Sequence, residues 1–462
     1  MGDGAMLLQD LGDGLILRCA VAEDAEALID FNARVHSDDG WDAPEAGIGV
    51  WVRGLMNGGH PTFAVEDFLV VEDTATGMIA SSSNLISQTW SYAGIPFGVG
   101  RPELVGTHPD YRRRGLVRKQ FAVLHRWSAE RGELVQAITG IPWYYRQFGY
   151  EMAVDMHGGR RGPVSAIPAL KEGQEEPYLI RPATPDDLGF IAQVATQASE
   201  RDLLSCVRGP EMWRYELDGR TLQGMPARKL RIIETPDGEA VGFLAHPNAR
   251  WGTSFFMTAY ELKRGVSWWA VTPAVLRYLK RTGEGEAPDK APGTADAPVD
   301  DRPPLETIVL GLGREHPVYE MVEHQLPKVD DPYAWFIRVP ELPAFLRLIA
   351  PVLERRLEES TMVGHTGPLL LDFYIDGVKL AFEGGKVVDV VPHPLGRESD
   401  TERRGSGAFA RFPDLTFLQL LFGYRSFEEL RYAYADCGGN LEGRLLVKAL
   451  FPKQNSALWP IS

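Results

Sequence analysis

Leu104-Val105-Gly106-Thr107-His108-Pro109-Asp110-Tyr111-Arg112-Arg113-Arg114-Gly115-Leu116-Val117 sets an apolar run, a Pro-Asp turn and an arginine-glycine corner in direct succession. A helix entered at such a corner offers an anion unpaired backbone N–H groups and a partial positive charge. Arg112, Arg113 and Arg114 add formal charge there, and Gly115 lets a bulky anion reach the backbone. The chemistry is that of a pyrophosphate cradle. A plainer description also fits: a solvated charge cluster followed by a turn. Tyr144, Tyr145 and Tyr150 follow in an apolar stretch, where a phenol is either a core residue or a proton donor. Glu103 is either a proton acceptor or a surface residue paired with Arg101. His108 reads as a turn histidine and His125 as a helix-surface histidine.

Such a corner needs a strand before it and a helix after it. Val99 to Thr107 supplies the strand, and Val117, Phe121 and Leu124 fall at i, i+4 and i+7, one buried face of a helix. Further upstream, Leu15 to Arg18 reads as a strand, and Glu23-Asp24 open a helix through Leu28 and Phe31. This opening recurs. Arg181, Ala183 and Asp187 repeat Arg18, Ala20 and Asp24 at a constant offset of 163 residues. A hairpin follows each: Phe68–Glu72 turning through 73–77, and Leu230–Glu234 turning at Pro236-Asp237-Gly238 into Ala240–Leu244. In the second copy, Ser254–Glu261 and Val266–Val271 are expected as strands, leading into Thr272-Pro273-Ala274 with no arginine-glycine corner. The second copy thus keeps the scaffold and is expected to be non-catalytic.

Residues 282–304, rich in Gly, Ala, Pro and Asp, read as a flexible surface loop. A third unit is expected from Asp331. Leu342, Phe345, Leu346, Ile349, Leu353 and Leu357 mark one amphipathic helix. A three-strand meander spans Leu369–Ile375, Val378–Phe382 and Lys386–Val391; a polar loop covers 397–407, and short helices cover Leu415–Phe422 and Phe427–Tyr434. The apolar end, with Leu450, Phe451, Leu458, Trp459 and Ile461, is expected to be buried. The reading is therefore α/β (α+β): mixed-sheet domains over 1–176 and 177–330, then an α/β domain over 331–462.

Composition narrows the partners. With 462 residues, 44% hydrophobic and 24% charged, the chain is long enough for several packed cores. The net charge of −15 disfavours nucleic acid and anionic membranes and suits a cationic small-molecule substrate. No apolar run reaches membrane-spanning length, and the acidic N-terminus is unlike a signal peptide. Cys19, Cys206 and Cys437, odd in number and far apart, offer neither a disulfide framework nor a metal site. They fit reduced thiols in a cytoplasmic setting.

The first domain resembles the GNAT superfamily of acetyl-CoA-dependent N-acetyltransferases. The superfamily pattern Arg/Gln-x-x-Gly-x-Gly/Ala reads here as Arg112-x-x-Gly115-x-Val117, with valine in the last place. Over nearly the whole chain the sequence is similar to the enhanced-intracellular-survival family of aminoglycoside acetyltransferases: tandem GNAT domains, the second degenerate, followed by a sterol-carrier-like domain. The shared residues are Arg112 to Leu116, Tyr145-Arg146-Gln147-Phe148-Gly149-Tyr150, Leu421 to Ser426 and Leu450 to Lys453.

The resemblance implies acetyl-CoA as co-substrate, no metal, and a homo-oligomer, specifically a hexamer. It implies that backbone groups of Val105, Gly106 and Thr107 pair with the pantetheine arm. Those of Arg113, Arg114, Gly115, Leu116, Val117 and Arg118 would hold the pyrophosphate, and Gly140 and Ile141 would line the arm from the neighbouring strand. Tyr145 matches the family's general acid. The general base is the chain's terminal carboxylate, here that of Ser462, although Trp459-Pro460-Ile461-Ser462 lacks the aromatic terminus of relatives. Glu103 is the alternative base. Acceptors would be aminoglycoside-like polyamines or lysine-type amines. Two other readings stay open: a protein lysine acetyltransferase, and a non-enzymatic protein that senses acyl-CoA or binds an apolar ligand.

An amine of pKa ~10 is almost wholly protonated at pH 7, and a free carboxylate near ~3.5 is mismatched to its proton by roughly 9 kcal/mol. A carboxylate base therefore needs burial, concerted transfer or an amine bound neutral. A phenol near ~10 protonating a thiolate near ~8.5 is uphill by only roughly 2 kcal/mol. Backbone N–H of Val105 or Thr107 is placed to hold the carbonyl oxyanion.

Overall fold

The computed structural model describes residues 6–285, 303–394 and 407–459. The expected loops at 282–304 and 397–407 lie mostly outside these residues, and Ser462 lies outside them altogether.

The chain opens with β1 (Leu7–Gly12), β2 (Leu15–Cys19), α1 (Ala25–Val35), α2 (Ala46–Met56), β3 (Phe68–Asp73), β4 (Met78–Tyr92), β5 (Ile95–Thr107), α3 (Leu116–Glu130), β6 (Val135–Ile138) and β7 (Glu151–Met156). It continues through β8 (Gly159–Pro163), β9 (Leu179–Pro182), α4 (Leu188–Ser199), β10 (Leu204–Cys206), α5 (Pro210–Arg214), β11 (Arg228–Glu234), β12 (Ala240–Pro247), β13 (Ser254–Met257), β14 (Ala259–Leu262) and α6 (Trp268–Gly283). The remainder holds β15 (Thr307–Leu310), β16 (Lys328–Asp330), β17 (Tyr333–Arg338), α7 (Leu342–Leu348), α8 (Ala350–Glu358), β18 (Gly367–Asp372), β19 (Gly377–Glu383), β20 (Lys386–Pro392), β21 (Ala408–Arg411), α9 (Phe417–Leu421), α10 (Phe427–Ala433), β22 (Gly438–Gly439) and α11 (Leu441–Leu450).

The repeat read from Arg18 and Arg181 is a matched pair of ion-pair clamps. Arg18 bonds Asp24 at 2.7 Å and Glu72 at 2.6 Å, while Arg181 bonds Asp187 and Glu234 at 2.7 Å each. Each clamp ties a strand to the helix that follows and to the next strand. The order β9-β11-β12-β14 in the second sheet parallels β2-β3-β4-β5 in the first.

The two halves exchange strands. The first sheet runs β1-β2-β3-β4-β5-β6-β17-β7, with β10 added to the end of β4. Its penultimate strand, β17, comes from far downstream and pairs antiparallel with both β6 and β7. In return, β8 leaves the first sheet and pairs with β15 and β16. The boundary expected at 330/331 therefore precedes a strand of the first sheet, not one of the C-terminal unit.

Four local expectations are corrected. Val266–Val271 is not a strand: Ser267 caps the start of α6 by accepting from the Ala270 N–H. The second copy's last strand is β14, and an arginine-glycine turn does follow it, at Arg264-Gly265, with Gly265 at φ +90°. That arginine is tied to Glu200 at 2.7 Å. The expected strand Ser254–Glu261 divides at Thr258, β13 joining β15 and β14 joining β12. The single helix expected over 342–357 breaks at Ile349, where Pro351 in the first turn of α8 starts a new helix.

The C-terminal sheet, β20-β19-β18-β21-β22, includes the expected meander. One continuous core joins it to the first sheet: Trp90, Tyr92, Phe97 and Trp335 pack with Phe345, Leu421 and Phe422. Tyr92 donates to the Leu421 carbonyl at 2.8 Å across this seam. Leu450 and Phe451 are buried as expected, and Trp459 is half-buried. Side chains such as Leu369, Leu380, Phe412, Phe417 and Leu430 occupy the interior of this unit, which argues against an apolar-ligand cavity there.

Candidate active site

β5 pairs with β4 along its whole length but with β6 only through Val99 and Gly100. Beyond Gly100 the two strands diverge, so one edge of β5 faces a cleft. A bulge sits at the divergence. The β4–β5 register shifts between Ser82 and Asn84, and Leu104 takes φ +51°. A bulge turns backbone groups out of the ladder, here the groups of Leu104 and Val105 at the cleft edge. Gly106 and Thr107 continue that edge to the corner.

The corner is pinned from below. The Tyr111 hydroxyl donates to Asp73 at 2.5 Å, which holds that carboxyl below its usual range. Arg112, Arg113, Arg114 and Gly115 are all exposed. Gly115 is the N-cap of α3 in the left-handed region, φ +73°, and it supplies no side-chain cap. The first-turn N–H groups of Leu116, Val117 and Arg118 are therefore left for an incoming acceptor. Leu116, Phe121 and Leu124 are buried, and Val117 is half-buried. Arg114 lies 3.5 Å from Asp13, and Arg118 donates to Gln147 at 2.9 Å.

The far wall is the end of β6. Gly140 sits at φ +130°, where a Cβ would come within 3.3 Å of the Tyr145 ring. Its carbonyl accepts from the Tyr333 hydroxyl of β17 at 2.9 Å. Ile141 is exposed on the cleft rim. Tyr145 packs among Phe121, Ile138, Tyr150 and Phe336 and is 5% exposed. Burial, and then the nearby Glu103 carboxylate, push its hydroxyl above the ordinary phenol range. It therefore stays a proton donor across the physiological range. His125 is not a surface histidine: its Nε2 lies 2.9 Å from the Tyr150 hydroxyl, and burial lowers its pKa to about 4. His108 fits the turn role, its Nδ1 accepting from the Asp110 N–H at 3.2 Å.

Glu103 is 8% exposed and bonded to the fully buried Arg101, so it is paired as expected but not at the surface. Burial raises its pKa against the pull of Arg101. Asn84, opposite Glu103 on β4, has both amide atoms unpaired among the described residues. Two residues near Arg101 went unseen in the sequence, His60 and Arg208, and the apolar tail is packed as expected. His60 is buried and held neutral, its pKa near 3, by burial and then by Arg220 and Arg101. The tail runs beside β10, with Ala457 bridging Ser205, and Arg208 stacks on Trp459. No local pattern announces Arg208, because the docking of the second half brings it in.

The cleft thus gathers Val105–Thr107, the corner 113–118, Gly140, Ile141 and Tyr145. Among the described residues no cluster of His, Cys, Asp or Glu could hold a metal, and no helix is long and apolar enough to cross a membrane. The diverging strands, the bulge and the anion-ready corner lie together in the first sheet. Residues 36–153 match a family model described as an acetyltransferase (GNAT) domain. No curated protein matches the chain.

Solved structures similar along almost the whole length share the fold. A probable N-acyltransferase of unknown function from Enterococcus faecalis V583 is 14% identical, with TM-score 0.62, covering 96% of this chain and 98% of its own. A GCN5-related N-acetyltransferase from Kribbella flavida is 16% identical, with TM-score 0.62 and coverages of 96% and 97%. Eis1 from Mycobacterium abscessus is 14% identical, with TM-score 0.56 and coverages of 96% and 99%.

Proposed function

We propose that the protein transfers the acetyl group of acetyl-CoA directly to a primary amine, with Tyr145 as general acid. The observation that carries this reading is the convergence, in one cleft, of the β5 bulge, the uncapped α3 N-terminus and the buried phenol of Tyr145. The pyrophosphate would sit on the N–H groups of 113–118, and the pantetheine arm would add to the free edge at Val105–Thr107. Gly140 and Ile141 would line the other side. The amine lone pair attacks the thioester carbonyl carbon, and backbone N–H at the bulge steadies the oxyanion. The C–S bond then breaks and the departing sulfur takes the Tyr145 proton. Because burial strengthens the O–H, donation accompanies C–S cleavage and does not precede it.

The ammonium proton passes to a carboxylate. The terminal carboxylate of Ser462 is the proposed acceptor, three residues beyond Trp459, which packs against Arg208. Glu103, inside the cleft, is the alternative. The acceptor class is aminoglycoside-like polyamines or lysine-type amines. A second, degenerate GNAT copy over 177–330 and a sterol-carrier-like C-terminal unit, as the family resemblance implies, are part of this proposal.

Thiol release from acetyl-CoA against an amine panel tests it. Tyr145→Phe is expected to lower kcat roughly 10²-fold with the KM for acetyl-CoA unchanged. Turnover that survives this substitution intact rejects the role of the phenol. Glu103→Gln and a glycine extension after Ser462, assayed side by side, identify the base.

A further inference from the structure

Asn84 sits in the middle of β4, fully buried, and both ends of its amide lack a hydrogen-bond partner among the described residues. The strand register sets it directly opposite Glu103. Directly opposed residues of an antiparallel pair point to the same face, with Cβ atoms about 4.5–5.5 Å apart. The Asn84 amide and the Glu103 carboxyl are therefore neighbours. The next residue of β5 is Leu104, at the bulge that opens the cleft edge.

The two faces of this sheet divide the chemistry. Leu69 and Leu85 pack with Leu116 and Leu124 of α3. Phe121 of the same helix stacks on Tyr145, so the phenol stands on the α3 side. Phe68 and Ile86 point the other way and pack with Leu28, Phe31 and Val52 of α1 and α2. Asn84 alternates with Leu85 and pairs with Phe68 on β3, so it shares this second face with Glu103. The extra residue of the bulge completes the division: Leu104 packs on the α1–α2 side, and Val105 packs against the cluster around Tyr145.

The departing sulfur is thus served from the α3 side, while Asn84 and Glu103 flank the bulge from the other. Glu103, 8% exposed, is held by Arg101, whose guanidinium lies 4.8 Å from the Trp335 ring centre. A carboxylate alone draws any cation. An amide oxygen beside it supplies a second acceptor, and two acceptors side by side suit a nitrogen bearing at least two N–H groups. An amide left unpaired in the core costs stability, and a leucine of similar volume would pack better between Phe68 and Ile86.

We infer that the acceptor nitrogen is seated between Asn84 and Glu103, with Asn84 Oδ1 accepting one of its N–H groups, so that Asn84 is a positioning residue that selects primary amines. This rests on the acetyl-transfer reading and holds whichever carboxylate takes the proton.

The test is Asn84→Leu in the full chain, with 1,5-diaminopentane as probe. In thiol-release assays the KM for the amine is expected to rise by about tenfold or more, with the KM for acetyl-CoA unchanged. Tm is expected to rise, because an unpaired amide leaves the core. In calorimetry on the CoA complex, the wild type is expected to favour the diamine over its N,N,N′,N′-tetramethyl form by about tenfold, and the variant to lose most of that preference. A lower Tm in the variant gives the amide a structural role and overturns the inference. A preference that survives the substitution, or a wild type that binds no diamine, overturns it as well. A wild type that binds the diamine but releases no thiol rejects the acetyl-transfer reading alone, since the binding comparison still decides where the nitrogen sits.

Discussion

Tyr145 and Glu103 lie close enough to influence one another, and burial moves both in the same direction. For the phenol, a raised pKa keeps the proton in place. The alkaline limb of kcat caused by tyrosine ionisation is expected above pH 10 and not at neutral pH. For Glu103 the sign matters because a base must be ionised to work. If Glu103 accepts the ammonium proton, kcat/KM falls as pH drops through a midpoint above the ordinary carboxylate value of ~4.3. Glu103→Gln removes that limb and lowers kcat/KM by roughly 10²-fold or more. An unchanged limb in Glu103→Gln assigns the base to the chain terminus.

The tail and β10 form one docked element, and Asp202 sits at its edge, accepting from the Asn455 amide at 2.7 Å. Burial raises this carboxyl to about 6. A raised folded-state pKa favours the protonated form, so its stabilising contribution is full below about pH 4 and is lost as pH rises through about 6. Asp202→Asn is expected to stabilise the protein at pH 8 by about 1 kcal/mol, a figure discounted for the solvent the carboxyl still meets. The gain should vanish near pH 4, as thermal unfolding across pH will show. At the same scale, Gly115→Val forces a β-branched residue into the left-handed region at the corner. It is expected to weaken CoA binding at least tenfold while leaving the fold intact.

The corner was legible in the sequence because strand, turn, arginines and glycine are contiguous, and periodicity reports local structure faithfully. Val266–Val271 misled for a physical reason: Val-Ser-Trp-Trp-Ala-Val mimics a β run, yet Ser267 caps a helix whose Trp268, Val271 and Val275 face one core. The buried state of Arg101 was illegible, since Trp335 and Cys206 reach it only through tertiary pairing.

At the scale of the molecule, no half stands alone. β6 and β7 are held together by β17, and the seam around Trp90, Phe97, Trp335 and Phe345 buries large rings on both sides. Each such ring contributes roughly 4 kcal/mol of gross apolar burial. The segment 1–176 expressed by itself lacks the strand between β6 and β7 and one wall of that seam. It is expected to show no cooperative thermal transition and no heat with CoA. Supplying 177–462 as a second chain in the same cells is expected to restore a soluble complex, whereas a cooperatively folded, CoA-binding 1–176 would contradict the shared-sheet architecture.

The long detour that the chain makes before β17 returns has a consequence for biosynthesis. Between Met156 and Tyr333 a ribosome elongating at roughly 5–20 residues per second needs roughly 10–40 s. Throughout that interval the nascent first sheet carries an empty slot with two unsatisfied strand edges and a bare aromatic flank. Translation tempo over this stretch, and the chaperones that shelter nascent polypeptides, should therefore govern the yield of native protein far more than any property of the finished fold.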